Sequence, residues 1–215
     1  MQTTLNEAPG VAAGARPDTR LIPKMLNHAA FVTHDAAATA DFYTRIMGME
    51  IAHTVVDDFI PSTETKFPFI HLFFRMGDGA TIAFFESPML PPPAKSSHPV
   101  YDIFNHFAFQ VNSREEVVRW RVWLNQNGVE TRGPVDHDGQ FLSVYFHDPA
   151  GIRLEVTMPT DPKWNRYTEE ARRDLKYWVD AKERARREGN TDPGAIVRWV
   201  REAREAYNKH TQPGA

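Results

Sequence analysis

The feature that most constrains the fold is an internal repeat, in which one pattern of residues recurs about 78 positions further on. Asn27-His28 opens the first copy and Asn105-His106 opens the second, each inside an alternating apolar and polar run that is typical of a β-strand. A capped helix and three more strand patterns follow in both copies. The sequence therefore predicts an α+β fold with two tandem βαβββ modules.

Capping residues and glycines mark the helix of each copy. In the first, Thr33 or Asp35 is placed to cap a helix that Gly48 ends. In the second, Ser113 and Glu116 form a capping box, and Gly128 ends the helix as Gly48 does. The strands that we expect after these helices are 50–56, 69–76 and 80–86 in the first copy and about 129–133, 141–147 and 152–157 in the second.

Changes in composition divide the chain into five segments. Ala, Gly, Pro and Thr dominate the start, which predicts a mobile tail, and prolines mark a connector between the copies. Beyond the second copy, the apolar residues recur at helical spacing, which predicts a pair of amphipathic helices. The expected segments are a tail at 1–20, a first module at 21–87, a connector at 88–103, a second module at 104–158 and a C-terminal helical extension at 159–215.

Composition excludes several classes of site and partner. The 215 residues include no Cys, so a metal would need His and carboxylate ligands, and the absence of thiols fits a reducing cytoplasm. Lys and Arg number 25 against 28 Asp and Glu, without the basic cluster that nucleic acid binding needs. No apolar stretch approaches the length of about 18 residues that spans a membrane. We expect a cytoplasmic protein that binds neither nucleic acid nor membrane.

Residues 135–155 contain several polar side chains of the kinds that act in catalysis or metal binding. Alternation predicts a β-hairpin here, with a turn near Asp148 to Gly151. Because successive side chains of a strand point to opposite faces, Tyr145 lies on the polar face of one strand and Glu155 on the polar face of the other. A phenol and a carboxylate are therefore expected on one surface of the sheet.

The spacing of His137, Tyr145, Asp148-Pro149, Gly151 and Glu155 resembles the signature of the extradiol ring-cleavage dioxygenases. These enzymes belong to the vicinal oxygen chelate superfamily. The Asp-Pro-x-Gly-x-x-x-Glu part is shared with glyoxalases and binding proteins of that superfamily, whereas His137 and Tyr145 favour the dioxygenases. The tandem modules resemble the same superfamily over roughly residues 24–158, which implies a cup of paired sheets that holds one divalent metal.

The resemblance implies a metal centre and two catalytic residues. His28, His106 and Glu155 stand where the family has its metal ligands, and this facial triad leaves open positions on Fe(II) for substrate and O2. Mn, Zn or Ni are the alternative metals. Tyr145 and His137 would hydrogen-bond the substrate and oxygen species and assist proton transfer. The implied partners are a small catechol-like aromatic substrate, O2 and a further copy of the chain in a homo-oligomer such as a dimer.

The first module departs from its relatives in two respects. Ala83 stands where a glyoxalase supplies a further ligand, and alternation sends the nearby Glu86 to the opposite face. The better-known extradiol enzymes carry another active-site His late in this module, and only His71 and His98 lie near that place. The sequence leaves open which of these two histidines, if either, replaces it.

Two further functions are consistent with the same residues. The first is a Lewis-acid metal enzyme of the superfamily, of the glyoxalase, lyase or isomerase type. The second is a binding protein of the bleomycin-resistance kind, which holds an aromatic compound in the cup without turnover. Fold alone does not decide between them and the dioxygenase. The phenylalanines of strands 69–76 and 80–86 favour an aromatic ligand, and we expect about half of them to face the cup.

Overall fold

The computed structural model describes residues 23–91 and 96–211, so the predicted tail at 1–20 lies outside the described residues. The α+β class, the two modules and the C-terminal pair of helices are confirmed. The first module contains β1 (His28–Val32), α1 (Ala36–Asp41), β2 (Glu50–Ile60), β3 (Thr65–Arg75) and β4 (Thr81–Glu86). After α2 (Pro99–Phe104), the second contains β5 (His106–Gln110), α3 (Arg114–Gln126), β6 (Arg132–Asp136), β7 (Phe141–His147) and β8 (Arg153–Pro159), and α4 (Thr168–Glu188) and α5 (Ala195–Thr211) follow.

Each module forms its own four-stranded sheet, with order β1-β4-β3-β2 in the first and β5-β8-β7-β6 in the second. In both sheets the first strand runs parallel to its neighbour and the other pairs are antiparallel. The identical strand order confirms the duplication. It also places β1 and β5, the two strands that begin with a histidine, at sheet edges.

The helices begin and end close to the predicted residues. The Asp35 carboxylate accepts the backbone N–H of Ala38 at 2.8 Å, and Ser113 Oγ accepts that of Glu116 at 3.2 Å. Gly48 and Gly128 have φ of 70° and 78°, the left-handed conformation that ends a helix. Two features were not predicted: α1 continues into a π-helical turn at Phe42–Ile46, and α2 forms inside the connector.

One predicted strand begins later than expected. The strand expected near 129–133 runs from Arg132 to Asp136. The reason is that the chain still completes the end of α3 at Val129, whose N–H donates to the Leu124 carbonyl at 2.9 Å. The first residues of the expected strand therefore form the end of the helix instead.

The two modules share one hydrophobic core between their helix-bearing faces. Phe31 of β1 and Phe107 of β5 meet there, with ring centres 6.2 Å apart. Since each strand puts alternate side chains on opposite faces, His28 and His106 lie on the faces turned away from this core. The largest fully buried members of the core are Tyr43, Phe74, Phe84, Phe146, Ile82, Leu124 and Leu154.

A buried hydrogen bond joins the modules. The Tyr43 hydroxyl donates to Asp148 Oδ2 at 3.0 Å, and the Ile152 N–H donates to Asp148 Oδ1 at 2.8 Å. Burial raises the pKa of Asp148 and, together with the nearby carboxylate, that of Tyr43. Asp148 thus closes the turn of the hairpin and anchors it to the first module.

Helices α4 and α5 pack against each other as an antiparallel pair. Asp174 of α4 forms an ion pair with Arg204 of α5 at 2.6 Å, and the Arg184 guanidinium lies 4.0 Å from the centre of the Trp199 ring. In the described residues, neither these nor the other helices are long and apolar enough to cross a bilayer.

The Tyr43–Asp148 bond is testable by a double-mutant cycle. We expect Tyr43→Phe to lower the free energy of unfolding by about 1–3 kcal/mol, because a buried carboxylate loses its donor. In an Asp148→Asn background the same change should cost clearly less, since no buried charge is left without a partner. Chemical denaturation of the four proteins measures both costs, and equal costs in the two backgrounds would contradict the coupling.

Candidate metal centre

The strand register of the second module brings the predicted site residues to one surface. Glu155 of β8 stands between Ala108 of β5 and Tyr145 of β7. His106 pairs with Arg153, the position two residues before Glu155 on the same face. The small Ala108 leaves room beside Glu155 for the His106 ring to approach it.

His106 and Glu155 are in direct contact. Nε2 of His106 lies 2.9 Å from Oε2 of Glu155, and Glu155 is only 6% exposed. Nδ1 of the same histidine lies 3.0 Å from the Phe104 carbonyl, to which it donates a hydrogen bond. A histidine that binds metal commonly donates its second ring nitrogen to a carbonyl in this way, because the bond fixes the tautomer and the ring orientation.

The two facing atoms of this pair need a proton or a metal ion between them. With Nδ1 protonated, a neutral His106 presents a lone pair from Nε2 to a buried carboxylate, and two acceptors repel each other unless a proton or a metal ion lies between them. Two ligand atoms about 2.1 Å from one ion and at right angles to each other are about 3.0 Å apart. The observed separation therefore fits two neighbouring ligands of a divalent metal.

Tyr145 and His137 form a second pair beside the first. The Tyr145 hydroxyl and His137 Nε2 share a hydrogen bond of 2.9 Å, and the Tyr145 ring lies edge to face with the His106 ring at 6.0 Å. Burial and the nearby Glu155 raise the pKa of Tyr145, so the phenol keeps its proton at neutral pH. The Arg153 guanidinium covers the ring at 4.1 Å from its centre.

His28 occupies the matching place in the first module. Its Nδ1 donates to the Asn27 side-chain oxygen at 2.7 Å, which leaves Nε2 as the ring nitrogen available to a metal. The asparagine of the Asn-His repeat therefore accepts a hydrogen bond from the histidine in the first module only. In the second module the backbone carbonyl of Phe104 accepts the hydrogen bond from His106. The ring neighbours of His28 are His71 and Phe73.

The chain brings together two of the three predicted ligands. His106 and Glu155 are in contact, whereas His28 lies on the outer face of the other sheet. Among the described residues, no three His, Asp or Glu side chains are close enough to hold one ion. The shared core explains this separation, because it turns the two histidine-bearing faces away from each other.

The remaining candidates of the first module are placed by their contacts. Glu86 accepts the Ala36 N–H at 3.1 Å, on the helix side of the sheet as alternation predicts. His98 caps α2, where its Nδ1 accepts the Val100 N–H at 3.2 Å. His71 instead lies on the His28 face, where burial, followed by the nearby His28 and His53, lowers its pKa to about 4.

The aromatic side chains of the first module divide between the two faces as expected. Phe74 and Phe84 are fully buried in the core. Phe69, Phe73 and Phe85 lie on the other face, in ring contact with one another or with the histidines of that face. Strand alternation therefore gives His28 an aromatic surrounding.

A cavity of about 340 Å³ adjoins Glu155 in the second module. Such a volume is in the range of about 300–1,000 Å³ that is usual for small-molecule sites. Phe141 and Trp164 form part of its wall, with ring centres 5.2 Å apart. A second cavity of about 730 Å³ shares His137 and Tyr145 with the first and reaches His106. His137 and Tyr145 therefore lie between the two cavities.

Comparison with models of protein families identifies the superfamily of this chain. The family model described as Glyoxalase/Bleomycin resistance protein/Dioxygenase superfamily matches residues 25–156, more than half of the chain. The chain belongs to this superfamily. The match ends before α4 and α5, and a search of curated proteins finds no match.

Several solved structures are similar to about two thirds of this chain. A glyoxalase family protein from Enterococcus faecalis is 29% identical, with 62% of this chain and 97% of that chain covered and a TM-score of 0.48. A glyoxalase/dioxygenase from Nostoc punctiforme is 24% identical, with 68% and 100% covered and a TM-score of 0.46. FosX, a fosfomycin resistance protein from Listeria monocytogenes complexed with Mn(II) and sulfate, is 24% identical, with 65% and 95% covered and a TM-score of 0.45.

Sequence reasoning missed three residues of the site. Phe141 and Trp164 carry no motif, and Trp164 belongs to a segment whose position depends on how the chain turns after β8. Arg153 carries no motif either, although it packs over Tyr145 and donates to the Ile103 carbonyl at 2.6 Å. Alternation on β8 was the only signal for Arg153.

The low pKa of His71 predicts a pH dependence of stability. Between about pH 6.5 and pH 4 the unfolded chain binds a proton at this residue and the folded chain does not, so acidification favours unfolding. We expect the free energy of unfolding of metal-free protein to fall over this interval more steeply in the wild type than in His71→Phe. Urea titrations across this pH range measure the slopes, and identical slopes would contradict the assignment.

Proposed function

We propose that the protein is a metal-dependent extradiol-type dioxygenase that uses Fe(II) and O2 to cleave a catechol-like aromatic ring. The observation that carries the proposal is the hydrogen-bonded His137 and Tyr145 pair, which adjoins the contact between His106 and Glu155. A proton-transferring pair beside a metal-binding pair is what such a reaction requires. Membership of the superfamily agrees with the proposal and does not by itself select this reaction.

Each residue has a separate task in this proposal. His106 and Glu155 hold the ion, and bound Fe(II) would supply adjacent positions for the catechol oxygens and O2 as well as a path for electrons between them. The Tyr145 hydroxyl keeps its proton. It can donate this proton to a substrate or oxygen-derived atom that lies next to it. His137, which is exposed, can exchange that proton with solvent.

The cavity walls favour a flat apolar ligand. Phe141 and Trp164 offer ring faces on one side of Tyr145, and the nearby Ala108 and Pro159 add apolar surface. Aromatic rings prefer offset or edge-to-face contact with such side chains. The ring of a small catechol would therefore lie against these residues with its hydroxyls toward Glu155.

We further propose that the third ligand, His28, comes from a second copy of the chain. His28 and His106 are both on edge strands, whose unpaired backbone groups can join a strand of another chain. The adjacent Phe104 is 74% exposed, and Val32 on the His28 face is 47% exposed. Exposed apolar side chains around an incomplete site are typical of an interface. A symmetric dimer would complete two such centres.

A Lewis-acid metal enzyme is the second candidate. The observation that favours it is β4, Thr81–Glu86, which carries no histidine for an extradiol enzyme to use late in the first module. Such an enzyme needs the same metal ligands and does not consume O2. Oxygen consumption therefore separates the two candidates.

The first test combines metal analysis with oxygen uptake. We expect anaerobically purified protein to bind about one iron per chain and to consume O2 with at least one of a panel of catechols. His106→Ala should lose both properties, whereas Tyr145→Phe should keep the iron and lose about 10²–10⁴ in kcat. His34→Ala, a change at an exposed histidine outside the site, is the matched control and should behave as wild type.

The outcomes of this test are distinct. Iron-bound protein that consumes O2 only with a catechol supports the dioxygenase. Bound metal without O2 uptake for any catechol would favour the Lewis-acid enzyme. A protein that binds aromatic compounds without needing any metal would reject both and leave the binding protein.

The shared centre predicts complementation between inactive variants. His28→Ala and His106→Ala should each lose metal when purified alone. After mixing and subunit exchange, half of the dimers contain both variants, and each of these has one site with both histidines, so about a quarter of the wild-type metal content should return. Metal analysis by mass spectrometry measures the recovery. No recovery after demonstrated subunit exchange would show that the ligands come from one chain.

A further inference from the structure

We propose that Trp164 limits the size of the substrate, so that the protein acts on catechols with a single ring. This inference rests on the proposed function, since it takes the catechol to be bound beside Glu155. It assigns a role to a residue beyond position 156, where the match to the family model ends. The arguments are the cavities on the two sides of Trp164, the length of the site and the hydrogen bonds that hold the Trp164 segment.

The rings of Phe141 and Trp164 lie between two cavities. Both residues line the cavity of about 340 Å³ beside Glu155, which we call the inner cavity. Both also line an outer cavity of about 840 Å³ on the side of helix α4. Their ring centres are 5.2 Å apart and their planes meet at 77°, which is an edge-to-face contact. The two rings therefore form an aromatic wall between the inner and the outer cavity.

The two sides of this wall differ in polarity. On the inner side, Phe141, Trp164 and Pro159 present apolar surface. On the outer side, the lining includes Asp174 and Arg204, whose side chains form an ion pair at 2.6 Å. Loss of the Trp164 ring would therefore join the apolar inner cavity to a larger space with charged walls, where a second ring of a ligand could lie.

The aromatic wall stands at the end of the inner cavity that is farther from the metal ligands. Glu155 and Pro159 both line this cavity and are four residues apart on β8, which is about 13 Å along a strand. Phe141 is the strand partner of Pro159, which places the wall at that end. One ring held by its hydroxyls at Glu155 fits in this length, whereas a second ring in line with it would meet the wall. These residues belong to one chain, so the limit does not depend on the origin of His28.

Hydrogen bonds hold the Trp164 segment in place. The Thr160 N–H donates to the Gln140 carbonyl at 2.9 Å, which ties the segment to the turn between β6 and β7. The Trp164 N–H donates to the Asp161 carbonyl at 3.1 Å, and the Asp161 carboxylate accepts the Tyr167 hydroxyl at 2.5 Å. Because its backbone is fixed in this turn, Trp164 can exclude a ligand instead of moving aside for it.

Two catechols that differ only in size test the proposal. 4-Methylcatechol and 4-phenylcatechol carry the same diol, and only the second is long enough to reach the aromatic wall. Oxygen uptake gives kcat/KM for each, and the ratio of the two values cancels any loss of metal or of folded protein. We expect wild type to favour 4-methylcatechol by at least about tenfold, because even one methylene in a hydrophobic pocket changes kcat/KM by about 10- to 200-fold.

Three variants assign the preference to Trp164. Trp164→Ala should raise kcat/KM for 4-phenylcatechol relative to 4-methylcatechol by about tenfold or more. Trp164→Phe keeps a smaller aromatic ring and should give an intermediate ratio. Trp178→Ala is the matched control, since Trp178 is 43% exposed, compared with 46% for Trp164, and lines neither cavity. This control should keep the wild-type ratio.

Two results would overturn the proposal. One is a wild-type protein that turns over 4-phenylcatechol as well as 4-methylcatechol. The other is a wild-type ratio in both Trp164→Ala and Trp164→Phe. An equal change of the ratio in Trp178→Ala would likewise show that the preference does not come from the aromatic wall.

Binding measurements separate this proposal from the proposed reaction. Isothermal titration calorimetry without O2 gives the dissociation constants of both catechols for protein supplied with Fe(II). If Trp164→Ala shifts their ratio toward 4-phenylcatechol but no protein consumes O2, the dioxygenase fails and the size limit stands for a bound catechol. If O2 is consumed and Trp164→Ala leaves the ratios unchanged, the dioxygenase stands and the size limit fails. If neither catechol binds or reacts, both proposals fail.

Discussion

The architecture depends on a single constraint, which is that each strand sends alternate side chains to opposite faces of its sheet. One face of each sheet is apolar and packs in the core that the two modules share, where Phe31 meets Phe107. The other face must then carry the polar residues outward. His28 and His106 lie on these outer faces for that reason, and within the part of the chain that the structure describes they do not meet at one site.

The duplicated modules have diverged at equivalent positions. Glu155 and Tyr145 of the second module correspond in register to Ala83 and Phe73 of the first. The second sheet therefore holds a carboxylate and a phenol, whereas the first is lined by aromatic rings around His71. In the proposed function, this division assigns metal binding and proton transfer mainly to one module and an apolar surrounding to the other.

Much of the fold could be predicted because its signals are local. Caps such as Asp35, stops such as Gly128 and the alternation of β7 and β8 each act within a few residues, and the repeat then fixes their order. The π-helical turn and α2 were missed, since short helical segments carry weak signals. The face of each site residue was also predictable, but its partner was not. The unpaired His71 nitrogen and the Trp164 wall depend on distant packing that no motif encodes.

We propose that His106 and Glu155 hold a divalent metal whose coordination is completed by His28 of another copy. A crystal structure of protein loaded anaerobically with Fe(II), with the ion located by its anomalous scattering, tests this most directly. We predict one ion per chain, bound by His106 Nε2 and Glu155 Oε2 at about 2.0–2.2 Å and by His28 of a neighbouring chain. An ion bound elsewhere, or no ion beside these residues in fully loaded protein, would show that they do not form the metal centre.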